Sequence, residues 1–108
     1  MTIQPGEFWV ADIPFTSGIG SKMRPVLVLW LDARDAVVAV VTSACQRLTT
    51  DVPLADWKSA GLRLPSTVRL SRLDCLEQGL LIHKLGVLSA ADAHQVKSVW
   101  STHVKPGF

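Results

Sequence analysis

A few polar side chains in this sequence have the types and spacing needed to bind a phosphate. Lys22 and Arg24 lie two positions apart at the end of a segment, residues 14–23, that is rich in glycine and serine. The planar guanidinium of an arginine offers a fork of donors that matches phosphate oxygens. Such a pair in a mobile loop can close on a phosphate, or it can simply be a solvated charge. Thr42 and Ser43 follow an apolar run, where hydroxyls commonly satisfy backbone groups.

The histidines are the usual candidates for acid–base chemistry near neutral pH. His94 and His103 fall in a predicted C-terminal helix, and we expect both to face solvent. His83 falls in a predicted strand beside Lys84. A lone strand histidine is more often structural or exposed than catalytic, so we interpret His83 as a surface residue.

Motifs for metals and cofactors are absent from the sequence. It contains no P-loop, no GxSxG and no HExxH pattern, and Gly18-Ile19-Gly20 lacks the third glycine of a dinucleotide fingerprint. Cys45, Cys75 and His83 do not have the spacing of a zinc site. We therefore predict no metal and no cofactor, and we expect two buried free thiols in a reducing compartment.

Composition predicts one globular domain. The chain has 108 residues, of which 48% are hydrophobic and 19% charged, and its formal net charge is +2. This is enough apolar material for a core, whereas the charge alone says little about a partner. No signal peptide or membrane span is visible, and the longest apolar run covers only residues 25–31, so we expect a cytoplasmic domain spanning 1–108.

Short strands followed by one helix are the predicted elements. Strands are expected at residues 8–13, 25–31, 36–42, 52–54, 66–70 and 80–85, with a loop at 14–23, a second loop at 43–51 and a short helix at 55–60 that Gly61 stops. Ser89 and Asp92 form a capping-box pattern at the start of a terminal helix. The unbroken apolar strands predict burial on both faces. The pattern favours an α+β, mostly β fold: a small barrel-like sheet covered by a helix.

Several segments, in order along almost the whole chain, resemble the MazF/PemK toxins. They are GEFWVADIPF at 6–15, KMRPVLVL at 22–29, VVTS at 40–43, STVRL at 66–70 and LGVLS at 85–89. The resemblance implies an SH3-like barrel of the MazF, PemK and CcdB kind with a C-terminal helix. It implies a homodimer that cleaves single-stranded RNA without a metal and selectively by sequence, inhibits growth, and is neutralised by a cognate antitoxin. The family's catalytic arginine and threonine map onto Arg24 and Thr42.

These roles make chemical sense. Attack of a 2′-hydroxyl on the neighbouring phosphorus needs stabilisation of the phosphorane charge, which Arg24 can supply, while the hydroxyl of Thr42 can position the phosphate. The resemblance also gives the arginine a part in proton transfer. An arginine is a poor base near neutral pH, so water or the RNA itself could take that proton.

The chain departs from the family pattern after Leu70. Residues 71–75 read SRLDC where the family often has a glutamine and a basic residue, and residues 76–80 read LEQGL where an arginine is common. The family's cleavage sequence is therefore not carried over. Candidates for RNA contact are Lys22, Ser43, Gln46 and Arg72, each of which could equally be an ordinary surface residue.

Two other functions are compatible with the same fold. Related gyrase-poisoning toxins act by binding a protein, in which case changes at Trp100 and in the terminal helix would abolish toxicity and Arg24→Ala would not. Alternatively, the chain is a degenerate member that only binds its antitoxin or RNA. The matches at Arg24 and Thr42 favour the ribonuclease.

Overall fold

The protein consists of a sheet of six strands and one C-terminal helix over residues 2–108, the part of the chain that the computed structural model describes. The elements are β1 (Glu7–Pro14), β2 (Ser21–Asp32), β3 (Asp35–Thr42), β4 (Asp51–Pro53), β5 (Thr67–Glu77), a 3-10 turn (Gln78–Leu80), β6 (Leu81–Val87) and α1 (Ala90–His103). All strand pairs are antiparallel, in the order β4-β5-β3-β2-β1-β6. The predicted α+β, mostly β class is confirmed. No helix of the described chain is long and apolar enough to cross a membrane.

The central strands are buried on both faces, as their unbroken apolar sequences predicted. Successive side chains of a strand alternate between faces. Phe8 and Leu27 accordingly belong to a cluster that packs beneath α1 through Val96, whereas Trp9 and Val28 belong to a second cluster on the opposite face. Both clusters hold the inner strands in place, and the functional groups lie where these strands end.

The sheet curls so that its two edges approach each other. The segment that follows edge strand β4 reaches β6, the other edge. There, a Cβ added to Gly61 would lie 2.0 Å from the carbonyl oxygen of Leu85, and one added to Gly86 would lie 2.6 Å from the backbone of Ala60. Such close backbone approach is possible only without a side chain. The contact brings the segment after one edge strand against the other edge strand, in keeping with the barrel-like shape that the resemblance implied.

β2 begins four residues earlier than predicted, at Ser21 rather than at Pro25. Residues 21–24 pair with β1, where Ser21 lies opposite Pro14 and Arg24 opposite Ala11. The predicted loop thus shortens to residues 15–20, and Lys22 and Arg24 are on a strand. The turn signals in the sequence hid this extension, because pairing with a neighbouring strand outweighs weak local propensity.

The predicted helix at residues 55–60 is wrong. The segment forms hydrogen-bonded turns, in which Ala60 N donates to Asp56 O at 3.2 Å and Gly61 N donates to Lys58 O at 3.0 Å. So short a helix is hard to nucleate. Its first amides are bound instead by α1, because the buried Asp92 carboxylate accepts hydrogen bonds from Ala55 N and Asp56 N, both at 2.9 Å.

The terminal helix has the predicted start but only half of the predicted capping box. Ser89 is the N-cap, and its hydroxyl accepts a hydrogen bond from Asp92 N at 3.1 Å. The Asp92 side chain does not complete the box, since both of its oxygens accept hydrogen bonds from the turn after β4. The helix start and this turn are therefore fixed to one another.

The prediction of buried cysteines is also wrong. Cys45 lies in the loop after β3 and Cys75 in β5, and both are free and exposed. Partial desolvation, together with the carboxylates of Asp35, Asp32 and Asp74, raises the pKa of the Cys75 thiol above its ordinary value. Residue type favours burial of cysteine, but the alternation of β5 places Cys75 on the outer face of the sheet.

Glu7 is a buried acid whose pKa is set by its partners. Its Oε1 accepts hydrogen bonds from Gln4 N at 2.7 Å and from Trp9 Nε1 at 3.1 Å, and its Oε2 lies 2.7 Å from Lys84 Nζ. Burial raises the pKa of Glu7, but the hydrogen bonds from Lys84, Gln4 and Trp9 outweigh this and lower the pKa below its ordinary value of 4.5. The carboxylate therefore stabilises the fold at neutral pH.

We expect Glu7→Gln to lower the free energy of unfolding by about 1–3 kcal/mol at pH 7, because Lys84 and Trp9 lose a charged acceptor. A carboxyl group whose pKa is lower in the folded than in the unfolded state stabilises the fold at pH values above its unfolded-state pKa. This stabilisation is lost as the pH falls through the folded-state pKa. The wild type should thus lose more stability than Glu7→Gln as the pH falls below about 4.5. Urea unfolding at several pH values measures this, with the exposed Glu77→Gln as control. If the free energies of unfolding of the wild type and of Glu7→Gln change with pH in parallel, the prediction is contradicted.

Candidate functional site

A groove of about 550 Å³ lies where the start of β2 meets the end of β3. One wall comes from β1 and β6, and the other from the irregular segment between β4 and β5. Its lining is Val10, Lys22, Met23, Arg24, Pro25, Val41, Thr42, Ser43, Gly61, Leu62, Arg63, Leu64, Ser66, His83 and Leu85. Apolar side chains form much of this surface, and polar groups enter it from four separate parts of the chain.

Arg24 and Thr42 are brought together by the pairing of β2 with β3. The last paired residues on this side are Val26 and Val40, and continuing the same register by two residues sets Arg24 across from Thr42. Both residues are half-buried and line the groove. Two residues that are 18 positions apart in sequence are thus neighbours, as needed for joint action on one phosphate.

Arg24 is free to bind an anion. Among residues 2–108 the ion pairs are Arg69 with Asp51 and Lys84 with Glu7, so Arg24 has no carboxylate partner there. A half-buried guanidinium retains its fork of donors and is less well solvated than an exposed one. This combination favours binding of a planar or tetrahedral oxyanion over a role in stability.

Thr42 is the last residue of β3, and its side chain stabilises the chain's exit from the sheet. Its Oγ1 accepts a hydrogen bond from Ala44 N at 3.2 Å. This bond leaves the hydroxyl hydrogen available, because a hydroxyl both donates and accepts. Thr42 can therefore donate to a ligand oxygen while the backbone holds its side chain in place.

Of the four predicted RNA contacts, two line the groove and two do not. Lys22 and Ser43 are part of the lining. Gln46 lies in the loop after β3, and its Nε2 donates to the carbonyl of Asp51 at 3.2 Å. Arg72 is exposed on β5, where the pairing with β3 is interrupted by a bulge. Contacts by Gln46 and Arg72 therefore require a ligand that extends beyond this groove.

The loop that carries Gln46 is held by a buried aspartate. Asp51 accepts hydrogen bonds from Arg47 N at 3.0 Å and Leu48 N at 3.2 Å, and its carboxylate pairs with Arg69 at 3.3 Å. Burial raises the pKa of Asp51, but these backbone donors and Arg69 lower it overall. The loop is therefore fixed to β5 next to the groove.

Sequence reasoning missed Arg63 and Ser66 and interpreted His83 as an isolated surface residue. The structure places all three in the groove. Arg63 and Ser66 belong to the segment between β4 and β5, in which Gly61 contacts β6 and Ser66 directly precedes Thr67, the residue paired with Thr42. The Lys84 side chain, bound to Glu7, fixes β6 beside His83. No local motif predicts these contacts, because they depend on which strands pair and on the contact of Gly61 with β6.

The charge of the groove lining has one sign. Its charged residues are Lys22, Arg24 and Arg63, and within the described chain no Asp or Glu is part of the lining. A groove lined by cations with few countercharges attracts polyanions. Among residues 2–108, no group of three or more His, Cys, Asp or Glu side chains could hold a metal ion.

The fold and groove define a class of small antiparallel β proteins with a C-terminal helix and a cationic groove at the strand ends. Residues 4–101 match the family model described as the PemK-like, MazF-like toxin of type II toxin–antitoxin systems. The chain belongs to this family. The comparison with curated proteins gives no match.

Solved structures agree with this fold. An endoribonuclease from a mycobacterial species, in complex with its cognate antitoxin, has a TM-score of 0.73 and 19% identity, with 94% of this chain and 93% of that chain covered. The Mycobacterium tuberculosis toxin MazF-mt6 has a TM-score of 0.66 and 24% identity, with 84% of this chain and 90% of that chain covered. MazE–MazF from Deinococcus radiodurans has a TM-score of 0.72 and 17% identity, with 94% of this chain and 95% of that chain covered.

Proposed function

We propose that the chain is an endoribonuclease toxin that cleaves single-stranded RNA within the described groove. The observation that carries this proposal is the placement of Arg24 and Thr42 together in a cationic groove without lining carboxylates. Family membership supports it, as does the similarity to structures named endoribonucleases. An RNA strand has one negative charge per nucleotide, which suits the cations of the lining.

The proposed reaction is attack of a 2′-hydroxyl oxygen on the adjacent phosphorus. The P–O2′ bond forms and the P–O5′ bond breaks, which gives a 2′,3′-cyclic phosphate and a 5′-hydroxyl end. Negative charge increases on the non-bridging oxygens in the transition state, and the guanidinium of Arg24 can donate two parallel hydrogen bonds to them. The apolar lining reduces competition from water and strengthens these bonds.

Thr42 acts in this proposal as a positioning hydroxyl. Its side chain is held by Ala44 N and can donate to a phosphate oxygen opposite Arg24. Lys22 and Arg63 attract the flanking phosphates, and Ser43 contacts the same strand. Gln46 and Arg72 contact nucleotides farther along the RNA. Single-stranded RNA fits better than a duplex, because unstacked bases can contact the apolar walls.

The proposal includes the biological setting of the family. The chain forms a homodimer in the cytoplasm, acts as one domain over residues 1–108, and inhibits growth by cutting mRNA at selected sequences. It needs neither metal nor cofactor, and a cognate antitoxin neutralises it. The complexes of similar toxins with their antitoxins support the last point.

Incubation of the purified protein with a long unstructured RNA in excess EDTA tests the activity. We expect fragments with 2′,3′-cyclic phosphate and 5′-hydroxyl ends, which mass spectrometry identifies. The same RNA with a 2′-deoxy nucleotide at the mapped cleavage site should remain intact there, because the nucleophile is missing. Intact RNA under conditions in which an active family toxin cuts it would overturn the proposed function.

A further inference from the structure

The reaction needs a proton acceptor as well as stabilisation of negative charge. Lys22, Arg24 and Arg63 can stabilise charge on the phosphate and on the departing 5′-oxygen. Lysine and arginine side chains are already protonated near neutral pH and accept no further proton. The groove thus has an excess of cations for one task, and a protein base for the other would have to come from the remaining lining.

Among the described residues of the lining, His83 is the side chain that suits this role. Thr42, Ser43 and Ser66 have hydroxyls, which are very weak bases, and the lining has no carboxylate. An imidazole changes its protonation between about pH 5 and 8 and is the most common general base in enzymes. His83 is exposed to solvent, so RNA can reach it.

The register of three strands places His83 at the level of Arg24. His83 pairs with Val10 on β1, and Val10 pairs with Pro25 on β2, next to Arg24. Adjacent strands lie about 4.8 Å apart, so the backbones of His83 and Pro25 are about 10 Å apart across β1. Paired residues point to the same face of a sheet, so His83 shares a face with Val10 and Pro25, and Arg24, the next residue along β2, points to the opposite face. Because both lie near the strand ends, His83 and Arg24 nevertheless line the same groove.

We propose that His83 is a catalytic residue that accepts the 2′-hydroxyl proton during RNA cleavage, an inference that rests on the proposed function. The neutral imidazole takes this proton as the P–O2′ bond forms. The P–O5′ bond then breaks, the 5′-oxygen takes up a proton from solvent, and the imidazolium releases one to solvent. Protons balance over the turnover, and no metal or other co-reactant is needed.

The dependence of the rate on pH is the signature of this role. The charged groups that share the groove with His83 are Lys22 and Arg24 from β2 and Arg63 from the segment between β4 and β5, whereas β1 contributes Val10 and the end of β3 contributes Thr42 and Ser43. Lysine and arginine side chains in general titrate well above the range of imidazole. The single-turnover cleavage rate should therefore rise about tenfold per pH unit on its acidic side and then level off.

We expect His83→Gln to lower the single-turnover rate by about 100- to 10,000-fold and to remove the acidic limb of the pH profile. Binding of an RNA with a 2′-deoxy nucleotide at the cleavage site, measured by fluorescence anisotropy, should stay within about threefold of wild type. His94→Gln, an exposed histidine on α1 outside the groove, is the matched control and should retain the wild-type profile.

Addition of free imidazole to His83→Ala separates a chemical role from a structural one. Rescue of cleavage, with a pH dependence that follows the added imidazole, supports His83 as the base. A His83→Gln protein with the wild-type rate and pH profile would overturn this inference and leave the proposed function intact, provided that the wild type cuts RNA and Arg24→Ala does not. A wild type that cuts no RNA would overturn both.

Discussion

Replacing Arg24 with alanine should lower the rate of RNA cleavage by roughly 100- to 1,000-fold. Arg24 is the half-buried cation of the groove without a carboxylate partner in the described chain, and it lies at the level of Thr42. Loss of a donor pair that strengthens in the transition state raises the activation free energy by about 3–4 kcal/mol. Single-turnover cleavage of a fluorescent RNA measures this, with circular dichroism and Tm to show that the fold is retained.

Two companion variants make the Arg24 result interpretable. Arg34→Ala removes an exposed arginine in the turn between β2 and β3, outside the groove, and should cleave at the wild-type rate. Arg24→Lys keeps the charge but loses the fork, so its rate should fall between those of Arg24→Ala and the wild type. If Arg24→Ala inhibits growth as strongly as the wild type, toxicity does not depend on cleavage, and a protein-binding toxin becomes the better explanation.

Replacing Gly61 with alanine should destabilise the protein by about 2–5 kcal/mol. Gly61 has a φ of 80°, and an added Cβ would lie 2.0 Å from the Leu85 carbonyl oxygen. The strained backbone and the clash with rigid backbone atoms both destabilise the folded state. For a domain of this size, the Tm should fall by roughly 10–25 °C.

Calorimetry and urea unfolding measure the effect at Gly61, and Gly79→Ala is a suitable control. An added Cβ at Gly79 meets no atom within 4 Å, and its φ is outside the positive range. Gly79→Ala should therefore change the stability by less than about 1 kcal/mol. A Gly61→Ala protein as stable as Gly79→Ala would show that the edges of the sheet do not depend on this close contact.

The sequence was most informative where local pattern and tertiary structure agree. The first three strands are long apolar runs, and α1 has a serine cap and an apolar face, so their positions were predicted to within a few residues. The start of β2 was missed because its residues resemble a loop and become a strand only through pairing with β1. The segment at 55–60 was predicted as a helix because its competitor for the amides, Asp92, is distant in sequence.

The residues of the candidate site were likewise only partly predictable from the sequence. Arg24 and Thr42 were predicted from family resemblance, and the strand register explains how they meet. Arg63 and His83 could not be placed beside them from sequence, since His83 reaches the groove through the pairing of β6 with β1, and Arg63 through the segment whose Gly61 contacts β6. Contacts of this kind depend on the whole topology, and no short pattern encodes them.

Under the proposed function, the irregular segment between β4 and β5 offers a means of changing RNA specificity without redesigning the sheet. Its ends are anchored, because Asp92 binds the amides of Ala55 and Asp56 and Leu54 N donates to Ser66 O at 2.9 Å. Between these anchors, Arg63 and Leu64 are exposed and line the groove. A library randomised at these two positions would vary the contacts to bases while the supporting framework stays constant. The segment is therefore a natural starting point for engineering ribonucleases with new cleavage sequences.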